Sequence, residues 1–187
     1  YVSVSIAILA GLILTKWQTA LISLYLTGEG TAADRAAMLL YGQQYLKIMI
    51  WGLLPFALTQ SYSSALRESG ETALPMRASV IAVLVNLVFN YLLIFGKLGL
   101  PALGVKGAAI ATVLSRVVEL LVVVVTAHKH QDRFPFLKGL YRSARIAKDL
   151  AVNITIKGMP LFVNEFFWSA GTITITQILS TRGLTVV

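Results

Sequence analysis

The chain has 187 residues, 57% of them hydrophobic and 13% charged, with a mean hydropathy of +0.77 and a net charge of +8. Soluble domains are about 25% charged, so this composition excludes an ordinary soluble domain and a disordered chain alike. Cysteine is absent, which removes disulfide frameworks, thiol catalysis and thiolate metal sites together.

The opening residues Tyr1, Val2 and Ser3 include no Met and no basic stretch, so no signal peptide is expected. The final residues are apolar. Both ends read as cuts, and the expectation is an internal piece of a longer polypeptide.

Five apolar stretches are long enough to cross a bilayer, at about 2–27, 45–66, 76–96, 105–127 and 152–180. None alternates as a barrel strand would, and backbone polar groups in lipid must pair within their own segment. The fold class is therefore all-α and polytopic. Span 1 carries Lys16, Trp17 and Gln18 near its middle, where Lys16 either snorkels or faces a cavity. Span 2 holds a polar run from Thr59 through Gln60 to Ser64, too polar for a lipid face all round. Pro55 and Pro160 fall inside spans and are expected to kink them.

In span 3, Ser79, Asn86 and Asn90 fall at i, i+7 and i+11, on one helical face. Two amides one turn apart can offer carbonyl oxygens to a cation or ligand. The plainer reading is interhelical hydrogen bonding, at about 0.6 kcal/mol per bond. In span 4, Gly104, Ala108 and Thr112 form one small face, and Gly107, Ala111 and Ser115 the adjoining one, as close helix packing requires. Arg116 and Glu119 follow at i, i+3, a structural pair or a charge pair facing the interior.

The positive charge is concentrated in 128–150, where Lys129, Arg133, Lys138, Arg142, Arg145 and Lys148 stand against Asp132 and Asp149. Bunched between spans, it points to a bilayer rather than to nucleic acid, and it places this linker in the cytoplasm. Alternation then puts 67–77 inside and 28–44 and 97–106 outside. Phe134, Phe136, Leu137 and Tyr141 are mixed with the basic residues, so the linker reads either as an amphipathic segment on the inner leaflet or as a solvated connector.

Span 5 places Lys157, Asn164, Trp168 and Thr172 on one face, with Glu165 roughly 80–100° away. Desolvation favours a protonated carboxyl and a nearby Na⁺ favours the carboxylate, which is the chemistry of ion coupling. The alternative is a Glu bonded to a polar group on a neighbouring helix. There is no phosphate-binding loop, no His-Glu-x-x-His and no nucleophile elbow, and His128 and His130 lack carboxylate partners. Catalytic residues, a metal site and a cofactor are not expected.

Several pieces taken in order resemble the multidrug and toxic compound extrusion family. They are 66–77 with Gly70, Pro75 and Arg77, then Asn86 and Asn90 through Gly96, then 103–116 with Gly104, Gly107, Thr112 and Arg116. Tyr45 to Ile48 and the later Gly158, Pro160, Asn164, Glu165 and Trp168 fit the same pattern. The resemblance implies twelve helices in two lobes, with the five spans as helices three to seven. Residues 1–127 would be helices three to six of the N-terminal lobe, 128–150 the cytoplasmic inter-lobe linker and 151–187 the first helix of the C-terminal lobe. It implies a secondary-active antiporter in the cell membrane, monomeric at full length, that exports amphipathic and cationic organic compounds against Na⁺ or H⁺. Asn86, Asn90 and Thr112 would handle the ion in the first lobe. Glu165 would match an essential Glu of some members, and Gln60, Asn164 and Trp168 would line the substrate cavity. A flippase for lipid-linked saccharides of the same superfamily and a non-transporting membrane scaffold are the alternatives.

Overall fold

The computed structural model describes residues 2–23, 32–134 and 148–180. Its elements are five helices in chain order: α1 (Val2–Ser23), α2 (Ala32–Glu68), α3 (Ala73–Phe95), α4 (Val105–Lys129) and α5 (Lys148–Ser180). Among the described residues there is no strand. The helices α1, α3 and α4 are long and apolar enough to cross a membrane. At 1.5 Å per residue, the 23 residues of α3 span about 34 Å, a little more than a hydrocarbon core.

The helix α2 begins well before the expected start near residue 45 and takes in much of the segment read as a linker. Ala36, Ala37, Met38, Leu39 and Leu40 are strong helix formers, and Asp34 in the first turn complements the helix dipole. Apolar content alone places the start too late, because helix propensity extends beyond the lipid-facing stretch. Both α2 and α5 continue through Pro55 and Pro160.

The order of contacts fixes how the helices run. Ser61 Oγ donates to Ser3 Oγ at 2.9 Å, and Gln43 Nε2 donates to Thr19 Oγ1 at 3.0 Å, so α1 and α2 are antiparallel. A Cβ on Gly52 would meet Val113, Arg116 lies over Phe56, and Tyr62 meets His128, so α2 and α4 run parallel. Thus α4 lies against both α2 and α3. This is the alternation that successive membrane crossings require.

Burial on α4 follows a stripe: Gly107, Ala111, Ser115, Glu119, Val123 and Ala127. Small residues at i, i+4 let α3 approach, and a Cβ at Gly107 would stand 2.6 Å from the Leu93 carbonyl oxygen. The turn into α4 is as tight. Gly96 adopts φ 64°, caps α3 by donating to Leu92 O, and leaves no room for a Cβ against the Ala102 backbone nitrogen at 2.6 Å. At the opposite end, Leu66, Ala78, Val123, Ala127 and Phe134 form a buried cluster that ties α2, α3 and α4 together. The outward side chains of α3 remain apolar and open, with Val83 66% and Leu87 65% exposed, as a lipid-facing surface demands.

Candidate functional site

Helical periodicity places Asn86 and Asn90 one turn apart on the side of α3 that meets α4, and Gly107 holds the two helices close enough for their side chains to touch. Asn86 Nδ2 donates to Thr112 Oγ1 and to Ser115 Oγ, both at 3.4 Å. Both hydroxyls donate within α4, Thr112 to Ala108 O at 2.9 Å and Ser115 to Thr112 O at 2.7 Å. Their protons are thus committed, and their lone pairs face the amide. On the other side, Asn90 Nδ2 donates to Asn86 Oδ1 at 2.8 Å. Donation thus runs from Asn90 through Asn86 to the hydroxyls of α4, and it leaves Asn90 Oδ1 buried without a hydrogen-bond donor.

A buried carbonyl oxygen without a donor is costly, the more so in a low-dielectric interior. It is also the kind of atom that a small cation or a protonated ligand satisfies. The long 3.4 Å contacts of Asn86 leave that amide loosely held.

Beside these residues, a cavity of ≈ 250 Å³ opens between α3 and α4, lined by Asn86, Thr112 and Ser115 at one end and by Ser79, Arg116 and Glu119 at the other. Ser79 Oγ donates to Glu119 Oε1 at 2.7 Å across the helices. Arg116 Nη1 meets Glu119 Oε2 at 3.0 Å, and its guanidinium lies 5.2 Å from the Phe56 ring centroid on α2. Glu119 is buried, whereas the Arg116 side chain is 42% exposed.

The structure brings together Asn86, Asn90 and Thr112. Gln60 lies exposed on α2, away from the buried stripe of Pro55, Thr59 and Ser63. Asn164, Glu165 and Trp168 are exposed on α5 and do not line this cavity. Lys16 is exposed on α1. The segment 135–147, with most of the basic linker, lies outside the described residues. Two participants escape the sequence reading. Ser115 reads as packing, yet it also accepts from Asn86. The Ser79 to Glu119 bond crosses helices, and its only trace in the sequence is a hydroxyl on the amide face and a carboxylate on the small-residue stripe.

Apolar helices long enough to span lipid, polar side chains turned inward and an open apolar exterior define a polytopic helical membrane protein. The MatE family model matches residues 1–92. A protein of Thermotoga maritima called probable multidrug resistance protein NorM is 31% identical over 97% of this chain, covering 38% of its own length. The probable multidrug resistance protein YoeA of Bacillus subtilis is 27% identical over 74% of the chain and 30% of its own length. A protein of Halalkalibacterium halodurans, also called probable multidrug resistance protein NorM, is 28% identical over 74% of the chain and 30% of its own length. No solved structure gives a significant match. The chain belongs to the multidrug and toxic compound extrusion family, and it spans well under half the length of these curated relatives.

Proposed function

We propose that the chain contributes the ion-handling part of a secondary-active multidrug efflux carrier in the cell membrane, exchanging Na⁺ or H⁺ for amphipathic, often cationic, organic compounds. The observation that carries this reading is the hydrogen-bond relay that starts at Asn90 and leaves its Oδ1 buried and without a donor. Buried amides that serve packing alone usually have their acceptors met, and Asn90 Oδ1 is not met. The names of the relatives support multidrug export as the activity of the whole protein. In this reading Asn86, Asn90 and Thr112 receive the driving cation. Glu165, Asn164, Trp168 and Gln60 serve the passage of substrate, and the linker 128–150 is cytoplasmic.

Among the described residues lining the cavity, Arg116 is the one cation, and Glu119 offsets it. A saccharide flippase handles a pyrophosphate and wants a strongly cationic interior, so this balance favours the drug carrier. The test is ethidium efflux by the full-length protein in proteoliposomes, with the Na⁺ and pH gradients varied separately. Efflux driven by one of them is expected. Absence of gradient-dependent efflux of any lipophilic cation overturns the reading, and the scaffold alternative then stands.

A further inference from the structure

The ion pair of α4 joins two residues of one helix, and each member reaches a different neighbour, Glu119 meeting Ser79 on α3 and Arg116 meeting Phe56 on α2. Arg116 and Glu119 sit at i, i+3 on the same helix, and the tie from Glu119 to α3 runs through the Ser79 hydroxyl. Charged groups inside a bilayer are expensive, and neither the bond from Ser79 nor the contact with Phe56 requires Arg116 and Glu119 to be paired with each other. A serine hydroxyl on α3 could equally be met by a neutral acceptor on α4.

The pair is also unequal. Glu119 lies in the buried stripe, while Arg116 reaches out and rests its guanidinium over Phe56. The guanidinium holds this aromatic face and the carboxylate at the same time, and the quadrupole of the ring attracts the cation whether or not the carboxylate contact is made. Two carboxylate oxygens offer about four acceptor positions, and Ser79 and Arg116 occupy one each. Glu119 lines the same cavity as Asn86 and Thr112. Seven residues separate Ser79 from Asn86 and Thr112 from Glu119, which is about 10 Å along each helix. The carboxylate is therefore outside the coordination shell of the amides, yet within one step along a continuous cavity.

We infer that Glu119 is a second cation station, where the driving cation and the Arg116 guanidinium compete for the same carboxylate oxygens. This rests on the antiport reading above. A cation leaving the neutral amides moves two turns along the cavity, towards the end that the charge pattern places in the cytoplasm. It takes the acceptor positions of Glu119 while Arg116 releases the carboxylate and keeps its place on Phe56. When Arg116 returns, it expels the cation. Arg116 is thus a built-in counter-ion that makes the step reversible instead of trapping the cation on a bare buried carboxylate.

Competition gives the two members of one ion pair opposite phenotypes. The measurement is ethidium efflux by the full-length protein in proteoliposomes, read as the concentration of the driving cation, Na⁺ or H⁺, that gives half the maximal rate. Glu119→Gln keeps an acceptor for Ser79 and is expected to raise that concentration at least tenfold. Arg116→Gln is expected to lower it at least threefold and to slow the maximal rate, since the cation then leaves slowly. The double variant should behave as Glu119→Gln alone. Shifts in the same direction, or rates that fall only with the amount of folded protein, overturn the inference. Should Glu119→Gln not fold, Arg116→Gln decides by itself, because a purely structural pair predicts no tightening. Asn86→Ala separates the two levels. If it raises the half-saturating concentration while both α4 variants match the wild type, the second station falls and the antiport reading stands. If the wild type shows no gradient-driven efflux, both fall.

Discussion

Asn90 donates its amide proton to Asn86 Oδ1 at 2.8 Å, and its own carbonyl oxygen is buried with no donor in reach. The two side chains are therefore not equivalent. Asn86 is the hub that joins α3 to the Thr112 and Ser115 hydroxyls, and Asn90 supplies the open acceptor.

This inequality predicts how two alanine variants divide. Asn90→Ala removes the open acceptor and is expected to raise the half-saturating concentration of the driving cation about tenfold, about 1.4 kcal/mol. Asn86→Ala removes the hub as well and should cost thermal stability besides, about 1 kcal/mol. Neither amide titrates, so with Na⁺ as the driving cation neither variant should move the pH profile of efflux. Purified full-length protein, assayed for efflux across pH and for thermal unfolding, checks both statements. A shifted pH optimum of Na⁺-driven efflux in either variant would contradict the assignment.

The approach of α3 to α4 rests on a missing side chain. Gly107→Ala puts a Cβ 2.6 Å from Leu93 O, a backbone atom that cannot turn aside. The helices must separate, at about 1–3 kcal/mol, and the cavity between them changes shape. Gly171→Ala on α5 meets nothing within 4 Å. That change should be neutral or slightly stabilising, by up to about 1 kcal/mol of helix propensity. Thermal melts of the two variants in matched detergent should differ clearly, with only Gly107→Ala lowered.

Leu66 and Leu87 make a second contrast. Leu66 is fully buried in the cluster with Ala78, Val123, Ala127 and Phe134, whereas Leu87 is 65% exposed on the outward face of α3. Truncating Leu66 to Ala should cost about 2–5 kcal/mol, with loss of folded yield. Leu87→Ala should stay within about 0.5 kcal/mol of the wild type. Fluorescence-detected chromatography after a heat step gives the comparison directly. Equal losses would mean that the cluster is not what holds this end of the bundle.

These contrasts also show what the sequence makes legible. The spans α1, α3 and α4 are visible as apolar runs, because lipid and length dictate them. The shared face of Asn86 and Asn90 follows from helical geometry alone, and Thr112 from the small-residue face of α4. The start of α2 is not visible in hydropathy, because alanines around Asp34 and Arg35 build helix without building a span. The bond from Ser79 to Glu119 depends on the register between α3 and α4, which Gly107 and the turn at Gly96 set. No periodicity along one helix reports the offset of another. Glu165 is singled out by its chemistry within a span, and the structure leaves it exposed, on a helix none of whose described residues is buried, away from the α3–α4 cavity.

That placement makes Glu165 a direct test of the antiport reading. Glu165→Gln keeps the size and shape of the side chain, so it should leave expression and melting temperature unchanged to within about 0.5 kcal/mol. If the carboxylate handles ions on the far side of the substrate path, efflux should fall at least fivefold. Normal transport per folded molecule would assign Glu165 to the protein surface.

Orientation underlies every statement about sidedness, and two exposed lysines at opposite ends of an antiparallel helix pair can report it. Lys97 follows the C-terminus of α3, and Lys129 lies in the last turn of α4. Because α3 and α4 run antiparallel through the pairs Leu93 with Gly107 and Ser79 with Glu119, these two ends lie on opposite sides of the bundle. The basic residues following α4 outnumber those near Lys97 and Lys106, and positive charge stays on the cytoplasmic side. The native chain has no cysteine, so single substitutions introduce unique labels. In full-length protein with any other cysteines removed, Lys97→Cys should react with an impermeant maleimide added outside intact cells. Lys129→Cys should react only after the membrane is opened. The reverse pattern would invert the path of the driving cation and put the Glu119 station at the outer end of the cavity.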